Sequence, residues 1–154
     1  MRIIKVSSVG LVVTLGFLLN SSTYAADNCI GHFHNVSQTS DTVEIAKGFT
    51  LTTFVFYSLT SSDNSANNAM GTCSGYALSM PEGKTRLSGI CARKTKNGDN
   101  WADTWVSDSG SGDRGTWKLV EGSGVFAGKA WSGWWRADFS EGKLTNGSWG
   151  GNCN

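Results

Sequence analysis

The segment Val120-Glu-Gly-Ser-Gly-Val-Phe-Ala-Gly-Lys-Ala-Trp-Ser-Gly-Trp-Trp135 reads as a tight turn between two strands. Glycines at 122, 124 and 128 permit a positive φ or a close backbone approach, and Phe126 is the one large apolar anchor among them. The alternating residues Thr116–Val120 before the turn and Phe126–Phe139 after it are both expected as strands.

Outward from that turn, the rest of the chain repeats the theme. Twenty glycines and a single proline punctuate stretches rich in Thr, Ser, Trp and Phe, and no helix pattern interrupts them after the N-terminal segment. Strands are expected at Asn28–Asn35, Asp41–Lys47, Phe49–Leu59, Thr72–Met80, Thr85–Thr95, Trp101–Val106 and Lys143–Gly150 as well. Ser61–Asn68 and Ser107–Asp113 are expected as loops. Phe49–Leu59 is the strongest strand signal, because β-branched and aromatic residues fill nearly all of it. Apolar groups on both its faces mark a strand covered on each side, and its odd positions, Tyr57 included, suit a wall or a lumen. Eight or nine strands with turns every 8–12 residues predict an all-β, single antiparallel closed barrel, calycin-like, its interior filled or holding one ligand.

The turn itself, Gly122-Ser-Gly-Val-Phe-Ala-Gly128, resembles the glycine-rich turn G-[ST]-G-x-F-x-G of plant allene oxide cyclases and dirigent proteins. The resemblance spans about residues 115–138; relatives of that barrel also occur as small secreted bacterial proteins. It implies a barrel that confines a reactive substrate so that it cyclises or couples with one stereochemistry. Trp131 stands where those families usually place a small residue or glycine.

Met1–Ala25 has the three parts of a signal peptide: Arg2 and Lys5, the apolar run Val9–Leu19, and Thr23-Tyr24-Ala25 before a cleavage site. The run is shorter than the ~20 apolar residues of a membrane span. The expectation is a secreted or periplasmic domain, residues 26–154. Losing Arg2 and Lys5 leaves 11 Lys and Arg against 12 Asp and Glu, a net charge of −1. Such a balanced surface argues against nucleic acid or an anionic membrane as partner.

All four cysteines fall in the exported part, where an even count predicts two disulfides. If Pro81-Glu82-Gly83 is a three-residue hairpin loop, Cys73 stands opposite Cys91. Cys29 is then left with Cys153, joining the first strand to the last as a closed barrel requires. The spacing matches no zinc motif.

For chemistry, Trp101, Asp103 and Trp105 share one face of one strand, two rings bracketing a carboxylate. That face is expected inside, which makes Asp103 the first catalytic candidate. With Asn97-Gly98 as a two-residue type I′ loop, Arg93 falls on the opposite face, so His32 or Tyr76 is the expected partner of Asp103. Trp101, Trp105, Tyr57, Trp131 and His34 are the candidate ligand contacts. His32-Phe-His34 is a two-ligand pattern with no third ligand nominated, and no metal or cofactor is expected. No nucleophile elbow, P-loop or dinucleotide fingerprint is present in the sequence. Asn35-Val-Ser37 and Asn146-Gly-Ser148 fit the glycosylation sequon. The expected partner is a small apolar or aromatic molecule, with a cyclase-type enzyme or a filled structural barrel as the other readings.

Overall fold

A computed structural model describes residues 28–108 and 114–154; the expected leader, Met1–Ala25, and most of the Ser107–Asp113 loop lie outside the described residues. Eight antiparallel strands follow one another around a closed barrel. They are β1 (Cys29–Ala46), β2 (Phe49–Ser62), β3 (Ala69–Ser79), β4 (Thr85–Thr95), β5 (Asn100–Asp108), β6 (Gly115–Gly122), β7 (Ser132–Glu141) and β8 (Leu144–Asn152). Every strand pairs with its sequence neighbour, and β1 pairs with β8 from Cys29↔Gly151 to Val36↔Leu144. Among the described residues no helix is long and apolar enough to cross a membrane.

Three sequence expectations are corrected here. The segments Asn28–Asn35 and Asp41–Lys47 are a single strand, β1, kept continuous by register shifts at Ser37/Thr39 and Glu44/Ala46, so the count is eight. Such bulges absorb one residue and bend the strand without ending it. Phe126 does not begin a strand. It ends a 3-10 turn, Gly124–Phe126, and is fully buried at the base of the barrel; β7 starts only at Ser132.

The third correction concerns the β4–β5 turn. Thr95 N–H donates to Asp99 O at 2.9 Å and Gly98 N–H to Thr95 O at 3.1 Å, enclosing a three-residue loop. A type I′ loop needs positive φ at both central residues. Here Gly98 has φ 94° and Asn97 does not share it. The register therefore runs Cys91↔Asp103, Ala92↔Ala102 and Arg93↔Trp101. A one-residue slip exchanges the faces of a strand, so Arg93 stands on the same face as Asp103.

The β3–β4 turn follows the expected register, with Cys73↔Cys91 paired across it. Both expected disulfides are formed: Cys73–Cys91 at a Cα separation of 4.0 Å and Cys29–Cys153 at 5.9 Å.

The glycine turn is a backbone device. Gly124 has φ 57°, and a Cβ there would run into the carboxylate of Asp99. Gly124→Val is expected to cost on the order of 1–3 kcal/mol of stability, since it forces a β-branched residue into the left-handed region. Chemical denaturation reads the loss; an unchanged midpoint would mean that the turn relaxes freely.

Candidate functional site: the barrel lumen

Side chains alternate along each strand, and the register decides which set looks inward. On β5 the inward set is Trp101, Asp103 and Trp105, with Ala102, Thr104 and Val106 behind. On β2 it is Phe54, Phe56, Ser58 and Thr60, and on β1 Phe33, Asn35 and Ser37. Together with rings from β6–β8 they enclose a cavity of about 450 Å³. Six of the seven tryptophans line it: Trp101, Trp105, Trp117, Trp131, Trp135 and Trp149. Trp134 points the other way, with the Arg114 guanidinium 4.6 Å from its ring centre.

Large rings fit because glycines make room for them. A Cβ at Gly89 or Gly75 would overlap the Trp105 indole, and one at Gly115 that of Trp135. Trp105 lies nearly parallel to Phe54, 6.1 Å between centroids, and edge-on to Trp135 at 6.1 Å. Trp117 and Trp149 meet edge to face at 5.9 Å. Four of the lumen indoles are tied down by their N–H: Trp117 to Gly150 O, Trp135 to Thr116 O, Trp149 to His32 O, and Trp101 to Asp103. The indole N–H groups of Trp105 and Trp131, and Oδ1 of Asn35, are buried without a partner among the described residues.

In this apolar wall sits a charged pair. Arg93 Nε donates to Asp103 Oδ1 at 2.7 Å, the same oxygen accepts Trp101 Nε1–H at 3.0 Å, and Arg93 Nη1 donates to Ser58 Oγ at 2.9 Å. Both side chains are about nine-tenths buried. Removing two charges from water is unfavourable unless they meet each other with good geometry. The pair satisfies that condition, with Trp101 and Ser58 holding its two ends.

The expected partners of Asp103 are elsewhere. His32 and His34 lie exposed on the outer wall, because β1 turns its odd residues inward. His34 Nδ1 is 2.9 Å from Asn146 Oδ1. Tyr57 is 58 % exposed and Tyr76 40 %, since the inward face of β2 is the even one and Tyr76 is on the outer side of β3. Of the eight candidate site residues, the structure brings Trp101, Asp103, Trp105 and Trp131 together and leaves His32, His34, Tyr57 and Tyr76 outside. Sequence reasoning missed Arg93, Ser58, Phe54 and Phe56 as lumen residues. The signal that could have found the inward face is the small residue opposite a large ring, Gly89↔Trp105. Of the two sequons, Asn35 lines the lumen and Asn146 pairs with His34. Among the described residues no group of three or more His, Cys, Asp or Glu side chains could hold a metal ion.

The outer wall carries its own polar cluster near His32. Asp138, the extra residue of a bulge in β7, accepts from Ser148 Oγ at 2.9 Å and from Arg136 Nε at 2.6 Å. These bonds, Ser148 first and Arg136 second, hold its carboxyl below the ordinary value, against a smaller opposing effect of burial. A depressed carboxyl stabilises the fold above its ordinary pKa, and that contribution is lost as pH falls through the folded value. Ser148→Ala is expected to raise the Asp138 midpoint toward the ordinary value in an NMR titration. An unmoved midpoint would remove Ser148 as the main cause.

No family model matches the chain, and no curated protein matches it in sequence. Among solved structures, it is similar to a pterocarpan synthase dirigent protein, at 11 % identity and a TM-score of 0.51, over 92 % of this chain and 96 % of that one. The chain has the dirigent-type barrel fold.

Proposed function

We propose that the protein is an exported carrier that holds a small apolar or aromatic molecule inside its barrel. The observation that carries this reading is the lumen: about 450 Å³ of space lined by aromatic rings around a buried ion pair. Ligand sites are typically apolar cavities of ~300–1,000 Å³ with a few placed polar groups. Rings offer broad contact area with little side-chain entropy to lose. In this reading the rings supply affinity, and the Arg93–Asp103 pair with Ser58 supplies orientation. Because the pair's charges cancel, the lumen suits a neutral guest. Two disulfides and a leader-like N-terminus support export, since both belong with an oxidising compartment.

A second reading, an enzyme that steers a reactive substrate by confinement, has support from the shared fold of a protein described as a synthase and from a carboxylate on the lumen wall. The carrier reading is preferred because Asp103 meets a permanent cation, while every tyrosine and histidine among the candidates stands outside the lumen. A proton-transfer device would need a partner that gives up or takes a proton near neutral pH.

The test is native mass spectrometry of protein purified from its own source. A retained neutral molecule, released on unfolding and re-bound unchanged, is the expected result. Recovery of a chemically altered molecule after adding it back favours the enzyme. An empty lumen that also takes up no apolar dye would leave a structural barrel. The intact mass of the same sample also shows whether Arg2 and Lys5 have been removed.

A further inference from the structure

The lumen does not end in solid core. At its base it shares Asn67, Trp131 and Cys153 with a second, more polar recess that opens beside Asn28, Asp63 and Asn64. At its other end Ala137 and Ser140 line it and are exposed, which places a mouth there. Trp131 thus lines both spaces.

Its position is fixed at its backbone and at its ring. Its carbonyl accepts Leu119 N–H at 2.9 Å, pinning the backbone to β6. Its ring meets Phe126 edge to face, 5.2 Å between centroids, and Phe126 in turn lies 4.2 Å from Trp101. Yet its own indole N–H is buried without a partner among the described residues. An unsatisfied donor is unfavourable, and an apolar ring could fill the base without one. The residue's distinguishing property here is that it lines both the lumen and the recess.

We propose that Trp131 is the floor of the lumen and sets the depth to which a ligand can enter; this rests on the carrier reading above. Removing the indole would join the lumen to the base recess and admit longer guests.

The experiment uses n-alkyl maltosides with tails of increasing length, below their micelle concentration, with binding measured by calorimetry and native mass spectrometry. The bulky, hydrated head stays at the mouth, so the tail gauges depth. In the wild-type protein, affinity is expected to rise about fourfold per methylene, the transfer increment of one buried CH₂, and then to level off when the tail reaches the floor. In Trp131→Ala the rise is expected to continue to longer tails. Trp131→Phe, which retains a ring, is expected to keep the levelling point within about one methylene of wild type. Should the alanine variant fail to fold, Trp131→Leu gives the same reading with a smaller extension. A wild-type protein that binds no tail of any length and no apolar dye overturns the carrier reading itself. Binding with a levelling point that neither Trp131→Ala nor Trp131→Leu moves, or with no levelling point at all, overturns only the floor.

Discussion

Arg93→Met is expected to lower the free energy of unfolding by about 3–5 kcal/mol, the usual consequence of leaving one member of a buried ion pair alone. Arg93 gives Asp103 its only charged partner among the described contacts; the remaining bond is the Trp101 N–H at 3.0 Å. Methionine fills much of the same volume, so packing changes little and the loss reports the orphaned carboxylate. Asp103→Asn is expected to fall in the same range. It keeps the Oδ1 acceptor shared by Trp101 and Arg93 but removes its charge, leaving a buried guanidinium with no counter-ion. The double variant Arg93→Met/Asp103→Leu is expected to regain most of what either single change loses, because no charge is then left in the wall. Denaturant unfolding of the wild type, Arg93→Met, Asp103→Leu and the double variant closes the cycle and gives the coupling directly. Single losses below about 1 kcal/mol would mean that water in the lumen solvates the charges, and the pair would then be a surface-like contact.

This expectation differs from what the residues alone allow, and the reason is a single turn. The fold was legible because its signals reinforce one another: glycine-punctuated alternation, four cysteines, and a three-residue loop that sets Cys73 against Cys91. The inward face of β5 was legible too, since two tryptophans and their alternation leave little choice. Arg93 was lost because Asn-Gly is the common signature of a two-residue loop, whereas this chain uses three residues with Gly98 alone at positive φ. A register error of one residue is invisible in composition yet moves every side chain of the strand through the sheet. His32, His34, Tyr57 and Tyr76 show the complementary limit. A polar group on an apolar strand is read equally well inward or outward until the neighbouring strand fixes the face. Only the pairing of β1 with β8, and of β2 with β3, settles it.

That pairing of β1 with β8 is the seam that closes the barrel, and its covalent reinforcement should carry the other large effect. Cys29–Cys153 spans 124 residues of sequence, against 18 for Cys73–Cys91. In the chain-entropy description a bond that closes the longer loop restricts the unfolded state more, roughly 5 kcal/mol against roughly 3 kcal/mol. Cys29→Ala/Cys153→Ala is therefore expected to be the more damaging double replacement, with the melting temperature falling on the order of 15 °C. The location reinforces the arithmetic. The bridge sits where the seam begins, next to Cys29↔Gly151, and Cys153 also lines the base of the lumen. Its loss should loosen the seam and the floor together, so ligand retention should fall with stability in this variant and much less in Cys73→Ala/Cys91→Ala. Parallel thermal melts and retention measurements on the two variants decide the matter. If the hairpin bridge proves the more costly to remove, the β1–β8 hydrogen bonds close the barrel without covalent help, and the terminal disulfide serves only to anchor the chain ends.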